Sequence, residues 1–177
     1  MKHNFFCRHI CTLPDNVIEK FVDYVTTLDY FASSSFPDDI IQVYAPIKSD
    51  LLESLLLFLN NWLRSDGHFN SNIARMSPYT YMPEHTDILK NRIPEHYGPT
   101  NLIKLQIPII TNPQVLMMWY DRVNARSHVC HFVKGGVYVI NNIVMHSVAN
   151  GGPDHRYFIT MRYKYPESIR QTELFEH

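Results

Sequence analysis

From Asn72 onward the chain is a succession of short runs rich in β-branched and aromatic residues, with no helical stretch between them. They read as strands near 72–82, 84–88, 101–111, 115–120, 128–133, 136–141, 143–149 and 155–164. Turn chemistry separates them: Pro83, Pro94, Gly98-Pro99, Asn112-Pro113, Gly135-Gly136 and Gly151-Gly152-Pro153. Consecutive short strands without crossover helices predict a double-stranded β-helix, the jelly-roll or cupin-like core.

The first third is different. "PDNVIEKFVDYVTTLDYF" places Val17, Phe21, Tyr24 or Val25 and Leu28 on one helical face, with Pro14 and Asp15 suited to its start. "SDLLESLLLFLNNWLRSDG" repeats the pattern with Leu52, Leu55, Leu56, Leu59 and Leu63, a cap at Ser49 or Asp50 and Gly67 as its stop. Both predict helices covering one side of a sheet. The expected architecture is one domain over 1–177, mainly β with flanking helices: 1–70 a mostly helical scaffold, 71–165 the β-helix core.

Charge and cysteine usage narrow the function classes. The net charge is −1 with His neutral, so no basic excess supports nucleic-acid binding. No apolar run approaches the roughly 20 residues that span a bilayer, and the N-terminus lacks the apolar core of a signal peptide. Three cysteines, Cys7, Cys11 and Cys130, form no disulfide framework and fit a reducing compartment, so the expected location is cytoplasmic. Cys7 and Cys11 with His3 and His9 are too few and too irregular for a closed zinc set.

The chemistry-bearing residues are His85, Asp87 and His146, in "YMPEHTDIL" and "NNIVMHSVANGGPDHRYF". Residues at i and i+2 of a strand share a face, so His85 and Asp87 with a distal imidazole make a 2-His-1-carboxylate set. That set holds non-haem Fe(II) and leaves positions open for cosubstrate and O2. Arg156, ten residues after His146 and across a Gly-Pro-Asp turn, offers a bidentate fork for the far carboxylate of 2-oxoglutarate. Thr86, Asn141, Asn142, Ser147 and Asn150 are candidates for orienting the imidazoles, each equally suited to turn hydrogen bonding. Met117, Met118, Trp119 and Met145 suit a core better than a substrate pocket. Residues 89–100 read as a loop beside the ligands, and Arg92, Arg122 and Arg126 as surface cations within reach of an anionic substrate.

Three stretches, "PEHTD", "GPTNLIKLQIPIITNPQV" and "FVKGGVYVINNIVMHSVANGGPDHRYFITMRY", resemble the aspartyl/asparaginyl β-hydroxylase-like branch of the Fe(II)/2-oxoglutarate dioxygenases. The resemblance spans about half the chain and is most specific at HSVxN followed by Arg156. It implies His85, Asp87 and His146 as iron ligands and Arg156 as the 2-oxoglutarate anchor. Where that family carries Arg-x-His, this chain reads Lys104-Leu105-Gln106, so the resemblance places Lys104 and Gln106 in the cosubstrate pocket in altered form. Lys104 would meet a carboxylate as a point charge and Gln106 would supply a neutral hydrogen bond, provided both point into the barrel. The implied activity is hydroxylation of a C–H bond of an amino acid or peptide, with succinate and CO2 as co-products. The alternative is a non-catalytic cupin-like domain that senses a metal or small acid.

Overall fold

The computed structural model describes residues 6–28, 32–33, 41–44, 47–63, 67–86, 102–121, 124–141 and 144–164. Two helices, α1 (Asp15–Thr26) and α2 (Ser49–Leu63), and eleven strands appear among them: β1 (Cys7–Thr12), β2 (Ala32–Ser33), β3 (Ile41–Tyr44), β4 (His68–Met76), β5 (Thr80–His85), β6 (Leu102–Ile110), β7 (Val115–Asp121), β8 (Arg126–His131), β9 (Gly136–Ile140), β10 (His146–Asn150) and β11 (Arg156–Lys164). The strands form two sheets, β1-β9-β6-β11-β4-β3-β2 and β5-β10-β7-β8, and all pairings are antiparallel. This is the jelly-roll sandwich the strand pattern predicts.

Side-chain alternation divides the larger sheet into two faces. On one, Leu105, Ile107, Ile109, Val137, Val139, Ile159, Met161 and Tyr163 pack with Ile18, Phe21 and Val25 of α1 and Leu51, Leu55, Leu59 and Leu63 of α2. On the other, Ala74, Met76, Tyr138, Ile140 and Phe158 join Met82, Val115, Met117, Trp119 and Val148 of the smaller sheet. The helices thus shield the outside of the larger sheet and leave its inner face for the second core, between the sheets. The helical stripes are as expected but rotated slightly: Ile18 and Leu51 are buried, whereas Val17, Leu28, Leu52 and Leu56 are only half-buried.

Two differences from the sequence expectations have local causes. The run 72–82 is two strands, because the chain turns at 77–79, where Tyr79 takes a left-handed φ of 51° and its N–H donates to the Gly152 carbonyl at 3.2 Å. The first 70 residues also supply β1, β2 and β3, and β1 forms an edge of the larger sheet beside β9. Cys7 and Cys11 lie on opposite faces of the larger sheet. The register of β1 shifts between His9 and Cys11, and this irregularity sends Cys7 toward the inter-sheet core and Cys11 toward the helix-covered one. His3 lies outside the described residues, as does the 89–100 loop.

Candidate metal and cosubstrate site

β5 ends at His85 and β10 begins at His146, and the two residues are direct partners across the ladder. Their ring centroids lie 4.3 Å apart with the planes 56° from parallel. Two imidazoles bound cis through nitrogen to one divalent ion, at about 2.1 Å each and about 90°, would have centroids roughly 4.6 Å apart. The pair is therefore already spaced for a shared ion.

The main chain fixes both rings. His85 Nδ1 lies 2.8 Å from the Pro83 carbonyl and His146 Nδ1 2.8 Å from the Val144 carbonyl. A carbonyl only accepts, so each Nδ1 carries the proton and the lone pair of the neutral ring sits on Nε2, the nitrogen a metal would take. His146 is buried, with the Trp119 indole 6.3 Å from its ring, and Trp119 is held in turn by donating Nε1–H to the Asn141 carbonyl at 3.0 Å. Among the side chains expected to orient the imidazoles, Ser147 instead meets the Tyr120 hydroxyl at 3.3 Å, and Thr86 is exposed. Asn142 lies outside the described residues.

Asp87 also lies outside the described residues. The strand expected over 84–88 is the end of β5, which spans Thr80–His85. Among the described residues, no group of three His, Cys, Asp or Glu side chains comes together in a metal-binding arrangement.

Arg156 is the residue expected to meet the cosubstrate. It is the first residue of β11, pairs with Met76, and is fully buried. Its guanidinium carbon sits 4.4 Å from the Phe158 ring centroid and 5.0 Å from that of Phe132. Nε, Nη1 and Nη2 have no hydrogen-bond partner among the described residues. Burial pushes the guanidinium down to about 9, while the Cys130 sulfur pulls it back up. A buried cationic fork with every nitrogen unsatisfied is costly, and a bidentate anion is the ligand that would relieve it. Phe132 and Phe158 were not singled out from sequence, although Phe158 stands at i+2 from Arg156 and so had to share its face.

Asn150 holds the turn that delivers Arg156. Its Nδ2 donates to the carbonyls of Asp154 at 2.8 Å, Ser77 at 3.0 Å and Met76 at 3.4 Å, and its Oδ1 accepts from Asn112 at 3.0 Å. Gly152 is required beside it, because a Cβ there would fall 2.4 Å from Asn112 Nδ2.

Lys104 and Gln106 lie opposite Ile140 and Tyr138 of β9, on the inner-facing rows of the larger sheet; Gln106 is buried and Lys104 half-buried. On the other side Lys104 faces Arg162 and Gln106 faces Thr160. Met117 and Trp119 belong to the inter-sheet core, while Met118 and Met145 are half-buried. Arg126 is exposed opposite Asp121; Arg92 and Arg122 lie outside the described residues.

No protein-family model matches the sequence, and neither does any curated protein. Solved structures share its fold. HygX from Streptomyces hygroscopicus, with nickel and 2-oxoglutarate bound, superposes with a TM-score of 0.65 at 13% identity over 91% of this chain and 83% of its own. A Pseudomonas putida prolyl-4-hydroxylase gives 0.64 at 13% identity over 91% and 94%. AviO1 from Streptomyces viridochromogenes gives 0.61 at 15% identity over 93% and 92%. The chain thus has the jelly-roll fold on which these proteins are built.

Proposed function

We propose that this chain is an Fe(II)- and 2-oxoglutarate-dependent dioxygenase that hydroxylates a C–H bond of an amino acid or peptide, and that it belongs to the aspartyl/asparaginyl β-hydroxylase-like branch. The observation that carries the reading is Arg156: a fully buried guanidinium whose nitrogens have no partner among the described residues, lying against Phe132 and Phe158 of the same inter-sheet cluster as Trp119, the neighbour of His146. A dicarboxylate reaching from a metal at the histidines into that core would satisfy the fork. His85 and His146 would present Nε2 to the ion, and Asp87, two residues after His85 in sequence, is assigned as the third ligand. Two imidazoles and a carboxylate are the donor set that suits Fe(II).

Iron would supply the oxidative chemistry: O2 activation, decarboxylation of 2-oxoglutarate to succinate and CO2, and insertion of oxygen into the substrate C–H bond. The protein's contribution is placement. The Pro83 and Val144 carbonyls lock the imidazole tautomers, Arg156 would set the depth and direction of the cosubstrate, and Trp119, Phe132 and Phe158 would flank it with apolar surface. Lys104 and Gln106, on the inner rows of the larger sheet, are assigned to the same site, with Lys104 facing a carboxylate of cosubstrate or substrate.

The resemblance to the hydroxylase branch and the fold shared with a prolyl-4-hydroxylase support an amino-acid or peptide substrate. Iron-loaded protein with 2-oxoglutarate, screened against free amino acids and short peptides, should release succinate. A cupin-like sensor, the alternative suggested by Lys104 and Gln106 standing in place of Arg-x-His, would bind the same ligands and release none.

A further inference from the structure

The sulfurs of Cys7 and Cys130 lie 2.8 Å apart although the residues are separated by 123 positions in sequence. They come from different sheets: Cys7 is on β1, an edge of the seven-stranded sheet, and Cys130 is on β8, an edge of the four-stranded sheet. Both side chains pack at the margin of the inter-sheet core, and both are partly solvent-accessible. A disulfide requires about 2.05 Å between sulfurs. The remaining approach is smaller than a bond length.

We propose that Cys7 and Cys130 are a redox-active dithiol whose disulfide covalently pins the open edge of the sandwich, joining β1 to β8. The third cysteine, Cys11, takes no part, because the β1 irregularity turns it to the helix-covered face.

The two sulfurs have unequal roles. The two sulfurs share a hydrogen bond in which either can be the donor; that contact and the nearby Arg156 charge lower the Cys130 pKa against the opposing effect of burial. The same contact raises the Cys7 pKa. The Arg156 cation acts on Cys130, so Cys130 is assigned as the nucleophile and Cys7 as the resolving thiol. With a hydroperoxide as oxidant, the Cys130 thiolate attacks the peroxide oxygen, the O–O bond breaks and Cys130 becomes a sulfenic acid. Cys7 then attacks that sulfur, displacing water as the S–S bond forms. For hydrogen peroxide, two thiols and one peroxide give one disulfide and two waters.

The test uses the full chain. Reduced protein is treated with hydrogen peroxide, denatured in the presence of an alkylating agent and analysed by peptide mass spectrometry, with and without a thiol reductant. The expected result is a Cys7–Cys130 cross-linked peptide pair whose mass is lower by two hydrogens, alkylated Cys11, and a monomer that melts several degrees higher and reverts on reduction. Cys11→Ser should leave the cross-link intact. Cys7→Ser should instead accumulate oxygen on Cys130, separating failure to cross-link from failure to react. Recovery of wild-type Cys130 as sulfinic acid, a cross-link to Cys11 or between chains, or all three thiols alkylated after peroxide would each overturn the proposal. None of these readouts depends on metal, 2-oxoglutarate or turnover.

Discussion

His85 and His146 face each other across β5 and β10 with ring centroids 4.3 Å apart, each tied through Nδ1 to the carbonyl two residues before it. The repeated X–x–His tether is what makes the pair chemically useful. It removes the tautomeric choice from both rings and leaves one unprotonated nitrogen apiece. His146→Ala should therefore abolish tight binding of one divalent ion, read by anaerobic Fe(II) titration, while the circular dichroism spectrum stays that of a β-rich protein.

Arg156 makes an opposite pair of effects. In the ligand-free protein its buried, unpartnered fork is a burden, so Arg156→Met should leave the melting temperature unchanged or raise it. The same substitution should weaken 2-oxoglutarate binding roughly 100-fold, because hydrogen bonds to charged groups contribute about 1.5–3 kcal/mol each. A large loss of stability without the ligand would mean that the guanidinium holds the fold together instead.

Asn150 should behave as a structural staple. Asn150→Ala removes the donor that serves the Ser77 and Asp154 carbonyls and the acceptor for Asn112. The expected cost is about 3 kcal/mol in urea denaturation, from several buried groups left unpaired at once. Asn150→Asp should not rescue it, since the Nδ2 donor is gone.

Stability should fall on mild acidification. Burial lowers the pKa of His68, and burial followed by the Arg75 charge lowers that of His155. Between the ordinary histidine value of about 6.5 and the lower folded-state values, the unfolded chain binds more protons, so stability rises with pH there. The contribution is fully present above 6.5 and is lost as pH drops through the folded pKa values. Melting temperatures from pH 8 to pH 5 should decline below pH 6.5, and His68→Gln with His155→Gln should flatten the decline.

The architecture was largely readable in advance because its signals are local. Leucine spacing in α2, the short β-branched and aromatic runs of β6 to β11, and the Gly-Gly and Gly-Pro turns are all short-range patterns. The ten-residue step from His146 to Arg156 was readable for the same reason: a strand, a glycine turn and a return strand fit between them. What escaped was set by tertiary context. The turn at Tyr79 carries no glycine, and its left-handed backbone is held by the distant Gly152 carbonyl. The strand β1 has no apolar alternation of its own, and an irregularity assigns Cys7 and Cys11 to opposite faces. The imidazoles were expected to find side-chain partners, yet they are held by carbonyls, which every sequence has and none displays.

The most direct test of the central claim, that the histidine pair and Arg156 form one metal and 2-oxoglutarate site, is anaerobic calorimetric titration of 2-oxoglutarate into protein with and without Fe(II). The account predicts one 2-oxoglutarate per chain only when iron is present, with binding lost in His146→Ala and strongly weakened in Arg156→Met although the latter remains folded. Binding of 2-oxoglutarate that is indifferent to iron, or that survives Arg156→Met at full strength, would contradict it.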